Sequence, residues 1–323
     1  MKLVSYESGK QTRVGVVQGE SIVDVRALVA LLSQRRVPRS LTSRPGFKEA
    51  ARAVVEGGFA PRDMVELVSR GAPWRKALGV VAAGLAKAVD PAKVPKGLFA
   101  SLASARLRPP IAKPNKITCI GLNYADHARE QGSEPPEAPI YFLKSHNTIC
   151  GPGDPILLPP NSSQVDYEAE FAVVIGKSGR RIPEEKAYEY VAGYTILDDV
   201  SARDMQFSDK QWFRGKSCDT FAPTGPWIVT KDEIPDPHNL RISLTLNGET
   251  MQDSSTSNLI FKVPFLISYL SQSITWEVGD LISTGTPPGV GVFRKPQVFL
   301  KSGDIVSVTV EKIGTLTNPV IGP

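Results

Sequence analysis

The sequence predicts an α+β protein in two parts, a small α+β domain over residues 1–108 and a β-rich domain over residues 109–323. Three observations predict it. Short β-branched runs at the start give way to Ala- and Val-rich stretches with helical spacing. Arg106 and Arg108 followed by Pro109-Pro110 read as an extended linker. Beyond them the chain turns to short apolar runs punctuated by Gly and Pro, the pattern of a sheet protein.

Composition narrows the function. A chain of 323 residues with 41% hydrophobic and 22% charged residues can bury a sizeable core. No apolar run is long enough to span a bilayer, so no membrane role is expected. The formal charge of +5 is modest, and no tight basic cluster with interleaved aromatics suggests nucleic acid as a partner. Cys119, Cys150 and Cys218 are too widely spaced for a disulfide framework or a zinc pattern. With no signal core or Arg-rich transit pattern at the start, the expectation is a reducing cytosol.

In order, strands are expected at 2–8, 13–18 and 21–25, and short helices at 27–33, 45–57 and 61–69. A longer helix over 74–96 breaks at Asp90-Pro91. None of these segments carries an obvious chemical constellation. A buried strand at 116–121 then leads to a short helix, capped by Asp126 or the neighbouring turn, with His127 and Glu130 on one face. A carboxylate that orients an imidazole makes a general base, although an ordinary surface helix start has the same spacing. Residues 132–136 read as a lid-like segment.

The stretch 165–175 is the centre of interest. As a strand it puts Asp166, Glu168 and Glu170 on one face, with Tyr167, Ala169 and Phe171 on the other. Either a hard divalent cation relieves the repulsion among the acids or the face is solvated. A helix at 183–190 and a strand at 191–197 follow, ending in Asp198-Asp199 and Arg203. An acid at a strand end can complete a carboxylate metal site, and an arginine can hold a substrate carboxylate. Lys216 is either a charge for an enolate or an exposed amine. Residues 241–246 and 249–252 around Asn247-Gly248 form a type I′ hairpin, and 261–272 a helix with Pro264 near its start. The strand at 281 runs into a Gly-rich loop through 291, which lacks the lysine and spacing of nucleotide-binding loops. A last strand covers 304–311.

Five segments in this order resemble the fumarylacetoacetate hydrolase family: Gly-Leu-Asn-Tyr-Ala-Asp-His (121–127), Asp-Tyr-Glu-Ala-Glu (166–170), Asp-Asp-Val-Ser-Ala-Arg-Asp (198–204), Gly-Lys-Ser-Cys-Asp-Thr (215–220) and Thr-Gly-Thr-Pro-Pro-Gly-Val-Gly (284–291). The resemblance runs from about Pro110 to the end, and the tail at 291–301 looks most like the family's "domain-containing protein 2" branch. It implies a mixed β-roll with a smaller N-terminal domain, and a homodimer. It also implies that Glu168, Glu170 and Asp199 hold Mg²⁺ or Mn²⁺, that His127 and Glu130 activate water, and that Lys216 sits beside the metal. Tyr124, Arg203, Gln206 and Thr286 match substrate-contacting positions. The parent hydrolase has a further metal aspartate before its histidine. Here that region is Cys119-Ile120-Gly121, so three protein carboxylates are expected and fumarylacetoacetate itself is disfavoured.

The chemistry so implied is that of a metal-dependent enzyme on a small 2-oxo (diketo) acid. Cleavage of a C–C bond by water comes first, because both His127 and Glu130 are present. The alternatives are oxaloacetate tautomerisation or decarboxylation at the same site, or a non-catalytic metal- or anion-binding protein.

Overall fold

The computed structural model describes residues 1–34, 37, 41, 44, 46–89 and 94–322. The chain divides into two units, Met1–Arg108 and Pro109–Pro323.

In the first unit, strands β1 (Lys2–Ser8), β2 (Gln11–Gln18), β3 (Ser21–Asp24) and β4 (Phe99–Ser101) form an antiparallel meander, and β5 (Leu107–Arg108) pairs with β1. Helix α1 (Val25–Ser33) starts where Asp24 caps it, the Asp24 carboxylate accepting the Ala27 N–H at 2.7 Å. Helices α2 (Phe47–Glu56), α3 (Met64–Ser69) and α4 (Gly71–Ala88) follow. The long helix therefore starts three residues earlier than expected and ends by Ala88; Pro45, Asp90 and Pro91 lie outside the described residues.

The second unit is mostly sheet. Its strands are β6 (Ile117–Gly121), β7 (Ile140–Lys144), β8 (Ile149–Cys150), β9 (Ile156–Leu157), β10 (Val165–Asp166) and β11 (Ala169–Ile175). Then come β12 (Val191–Asp198), β13 (Ser201–Ala202), β14 (Ala222–Thr230), β15 (Arg241–Leu246), β16 (Glu249–Ser255), β17 (Leu281–Ser283), β18 (Ile305–Val310) and β19 (Gly314–Ile321). Helices α5 (Ala125–Glu130), α6 (Arg203–Ser208), α7 (Phe213–Lys216) and α8 (Val263–Ser271) are short. One mixed sheet runs β14-β12-β11-β17-β6-β7, antiparallel except for the β17–β6 pair. A second runs β16-β15-β18-β19-β9, and β10 pairs with β13.

Strands β11 and β12 are buried along their whole length, with the Phe171 and Tyr194 rings 5.0 Å apart. Each large apolar side chain enclosed there contributes about 1.5–3 kcal/mol. The expected continuous strand 165–175 is broken at Tyr167-Glu168, because β10 leaves β11's neighbours to pair with β13. The hairpin has positive φ at both Asn247 (54°) and Gly248 (85°), as a type I′ turn requires. Residues 184–190 wind as a 3₁₀ rather than an α-helix. Strands β7, β14 and β19 lie outside the strands expected above; β14 carries Pro223, Gly225 and Pro226, which ordinarily argue against a strand.

Candidate active site

Adjacent strands carry the acids inward. Ala169 of β11 pairs with Asp198 of β12, so Glu170 and the residues just before it lie beside the end of β12. The Asp199 N–H donates to the Glu168 carbonyl at 2.9 Å, joining the two segments as they leave the sheet. Ligand atoms of Glu168, Glu170 and Asp199 come within 4.8 Å of one another, all buried. The solvated-face reading of the acidic stretch is overturned, since Asp166, Glu168 and Glu170 are each less than a tenth exposed.

Asp166 does not join the triad. Its carboxylate accepts from Arg203 Nε at 2.8 Å and from the N–H groups of Gly291 (2.7 Å) and Val292 (3.0 Å). It therefore ties the Gly-rich loop to α6. Arg203 also reaches Glu168 Oε1 at 2.7 Å and donates to Gln206 Oε1 at 3.0 Å. Both side chains are buried, and Arg203's charge is already matched by two carboxylates.

Lys216, at the end of α7, is no exposed amine. Its Nζ donates to Glu168 Oε2 at 2.9 Å and Asp199 Oδ2 at 3.0 Å, and lies 5.1 Å from the Phe142 ring centre. Burial works against its charge, but Asp199 and Glu168 more than compensate and raise its pKa. Burial also opposes ionisation of Glu168, yet Lys216 and Arg203 hold that carboxyl well below its usual range. Glu170 has the opposite fate. Burial, then Asp199 and Glu168, push it well above the usual carboxylate range. Its Oε2 accepts the Gly285 N–H at 3.0 Å, and no described cationic side chain pairs with it.

That asymmetry is the test of fit for a metal. Three enclosed carboxylates, one with no ion-pair partner among the described residues, suit a hard divalent cation with oxygen ligands. The fit is good.

The predicted His127–Glu130 pair is formed. His127 Nδ1 lies 2.9 Å from Glu130 Oε2, at i and i+3 on α5. Glu130 Oε1 accepts the Gly289 N–H at 2.9 Å, and the Phe293 ring lies 5.9 Å from the imidazole. Asp126 does not cap α5: Tyr124 is the N-cap residue, and Asp126 Oδ2 accepts from Ser254 (2.6 Å) and Asn258 (2.9 Å) instead. The Gly-rich loop thus touches Glu170 through Gly285 and Glu130 through Gly289, joining the acids to the His127–Glu130 pair. Gly289 has φ +102°, and a Cβ there would sit 2.1 Å from the Met251 carbonyl oxygen. Thr286 Oγ1 accepts from Gln252 Nε2 at 2.9 Å. Tyr124 is fully buried and its hydroxyl has no hydrogen-bond partner among the described residues; burial and Glu170 push its pKa well up.

Lys144 and Gln131 are not among the residues singled out from the sequence, and Asp198, named there with Asp199, has a place of its own. Lys144 Nζ lies 2.5 Å from Asp199 Oδ1 and donates to the Val200 carbonyl at 3.0 Å. A lysine closing the apolar run Ile140-Tyr141-Phe142-Leu143 was the available signal. Asp198 accepts the Glu168 N–H, and burial, helped by Asp199 and Glu168, pushes its carboxyl up to about 8. Gln131 lies 2.5 Å from His127 Nε2, and nothing in its sequence neighbourhood marked it.

The family model "Fumarylacetoacetate (FAA) hydrolase C-terminal" matches residues 116–321. Oxaloacetate tautomerase Fahd2a, mitochondrial, of Rattus norvegicus is 48% identical over 81% of this chain and 80% of its own length. The fumarylacetoacetate hydrolase domain-containing protein 2 homolog of Dictyostelium discoideum is 43% identical over 80% and 86%. Among solved structures, the fumarylacetoacetate hydrolase of psychrophilic Exiguobacterium antarcticum is 33% identical with a TM-score of 0.78, over 100% of both chains. Maleylpyruvate hydrolase from Sphingobium sp. SYK-6, in complex with manganese(II) and pyruvate, is 28% identical with a TM-score of 0.72, over 100% of this chain and 99% of that one. The rat relative and two from Bos taurus and Homo sapiens are named mitochondrial, which overturns the expectation of a cytosolic location. Among the described residues no helix is long and apolar enough to cross a membrane. By the family match over nearly two thirds of its length and the likeness to these relatives, the chain belongs to the fumarylacetoacetate hydrolase family.

Proposed function

We propose that the protein interconverts the keto and enol forms of oxaloacetate or a closely related 2-oxo dicarboxylic acid. The observation that carries this reading is the single loop, 284–291, that contacts both the carboxylate cluster at Glu170 and the His127–Glu130 base. The tautomerase names of relatives up to 48% identical over four fifths of this chain support it.

Glu168, Glu170 and Asp199 would hold Mg²⁺ or Mn²⁺. A divalent ion bound there would supply Lewis acidity that stabilises negative charge on the substrate's oxygens. Lys216 adds a fixed positive charge where enolate charge develops. Glu130 accepts from Nδ1 and so leaves His127 Nε2 free of a proton. Nε2 then takes a proton from C3, the C–H pair moves into the C2–C3 bond, and the oxygen at C2 becomes the enolate oxygen. Return of that proton to the oxygen gives the enol, and the reverse gives the ketone. Tyr124, Arg203, Gln206 and Thr286 line or brace the substrate position in this scheme.

C–C hydrolysis is the second reading. The His127–Glu130 geometry favours it, as do the hydrolase names of structures 28–33% identical. A homodimer is also proposed: β7 is an edge strand whose Ile140, Tyr141 and Leu143 are each more than 40% exposed.

The test is the decay of enol oxaloacetate absorbance with Mn²⁺ and with chelator, followed by pyruvate assay, with acylpyruvates run alongside. Metal-dependent decay without pyruvate supports tautomerisation. Release of pyruvate plus the partner acid from acylpyruvates, with no effect on oxaloacetate, overturns it.

A further inference from the structure

We propose that Gln131 sets the outcome at His127: its amide occupies the base nitrogen, so that the site exchanges protons with substrate rather than activating water. The inference rests on the tautomerase reading above and names the residue that separates it from hydrolysis.

The geometry is local. The Glu130 carboxylate only accepts hydrogen bonds, so the His127 nitrogen facing it at 2.9 Å, Nδ1, carries the ring proton. The other nitrogen, Nε2, then has one lone pair in the ring plane. Gln131 follows α5 directly, four residues after His127, which brings its side chain alongside the imidazole. Its amide nitrogen stands 2.5 Å from Nε2. The amide must present its NH₂ there, because its oxygen would set two acceptors against each other. His127 is buried, Glu130 is anchored by Gly289, and Phe293 lies against the ring. Half-buried Gln131 is the polar side chain that stands at the free nitrogen.

Hydrolysis needs a water at that lone pair. The water would give its proton to Nε2 while its oxygen bonds to the distal carbonyl carbon. The C–C bond would then break, its electron pair would pass to the departing pyruvate enolate, and Nε2 would return the proton to C3 of that enolate. Either reaction must displace the Gln131 amide from that lone pair, and hydrolysis must in addition fit a water between Nε2 and the distal carbonyl. Tautomerisation needs no water: a substrate C–H approaches Nε2, and the displaced amide finds a new acceptor in the substrate's distal oxygen. Gln131 is thus a positioning residue that selects between two reactions of one base.

The experiment compares wild type with Gln131→Met and Gln131→Leu, which keep the bulk and lose the donor. Oxaloacetate tautomerisation and acylpyruvate hydrolysis are measured on the same Mn²⁺-loaded preparations, with melting curves. The expected result is a rise of about tenfold in the ratio of hydrolysis to tautomerisation, the equivalent of one lost hydrogen bond. An unchanged ratio, or equal loss of both rates, overturns the role of Gln131, since a merely structural residue would lower both. If both variants misfold, ¹⁵N NMR of wild-type His127 decides. An unprotonated, hydrogen-bonded Nε2 that shifts when substrate binds upholds the proposal, and a bare or protonated Nε2 overturns it. Wild type inactive on oxaloacetate enol defeats the proposed function and this inference together. An active wild type with unresponsive variants defeats only this inference.

Discussion

Lys144 Nζ lies 2.5 Å from Asp199 Oδ1, with both side chains almost wholly enclosed. Asp199 therefore lies between two lysines, with Lys216 at its other oxygen, 3.0 Å away. Breaking a buried pair from one side leaves an uncompensated charge. Lys144→Met is expected to destabilise the metal-free protein by about 3–5 kcal/mol. Saturating Mn²⁺ should narrow the gap, because the ion replaces the missing positive charge. Paired thermal melts with chelator and with Mn²⁺ check this; an equal gap in both would separate Lys144 from the metal cluster.

Removing a carboxylate from the triad should remove metal binding. Wild type is expected to melt higher with Mn²⁺, by the equivalent of about 2.7 kcal/mol at a hundred times the Kd. Glu170→Gln and Asp199→Asn should lose that rise and all metal-dependent turnover. Calorimetric titration with Mn²⁺ gives the direct reading, and full binding by either variant would refute the ligand assignment.

The two roles of the Gly-rich loop are open to a backbone test. Gly289→Ala would put a Cβ into the Met251 carbonyl at a φ that side chains rarely adopt. The strain is of order 1–3 kcal/mol. The loop should shift and release Glu130, so kcat is expected to fall more than metal affinity. Retained kcat together with lowered stability would show that the Glu130 contact is dispensable.

A pH effect is expected in the first unit. Tyr6 donates to buried Asp24 at 2.7 Å, and burial together with that carboxylate pushes the phenol well above its ordinary value. The folded chain keeps a proton that the unfolded chain releases near pH 10. This contribution to stability is therefore full below about pH 10 and is lost as pH rises beyond it. In Tyr6→Phe the alkaline decline in stability should be shallower by up to one proton, about 1.4 kcal/mol per pH unit. Denaturant titrations from pH 9 to 12 test it, and an unchanged slope would contradict it.

The sequence by itself determined the family, the α+β class and the identity of the acids, because these rest on short-range facts. Alternation along a strand, an i,i+3 pair on a helix and an Asn-Gly turn are all written within a few residues. Five such local signals in one order were enough to nominate Glu168, Glu170, Asp199, His127, Glu130 and Lys216 as candidates. The tertiary structure decided what those groups experience. Asp166 and Glu168 share a face in the sequence pattern. The break at Tyr167-Glu168 nevertheless sends Asp166 to Arg203 and the loop amides, and Glu168 to Lys216. Lys144 and Asp199 are 55 residues apart, and Gly289 and Glu130 159 apart, so no local pattern could pair them. Nor could periodicity show that Glu170 has no ion-pair partner among the described residues, or that Gln131 stands at His127 Nε2. Those are properties of a closed interior, where low dielectric and mutual distance set which charges are matched.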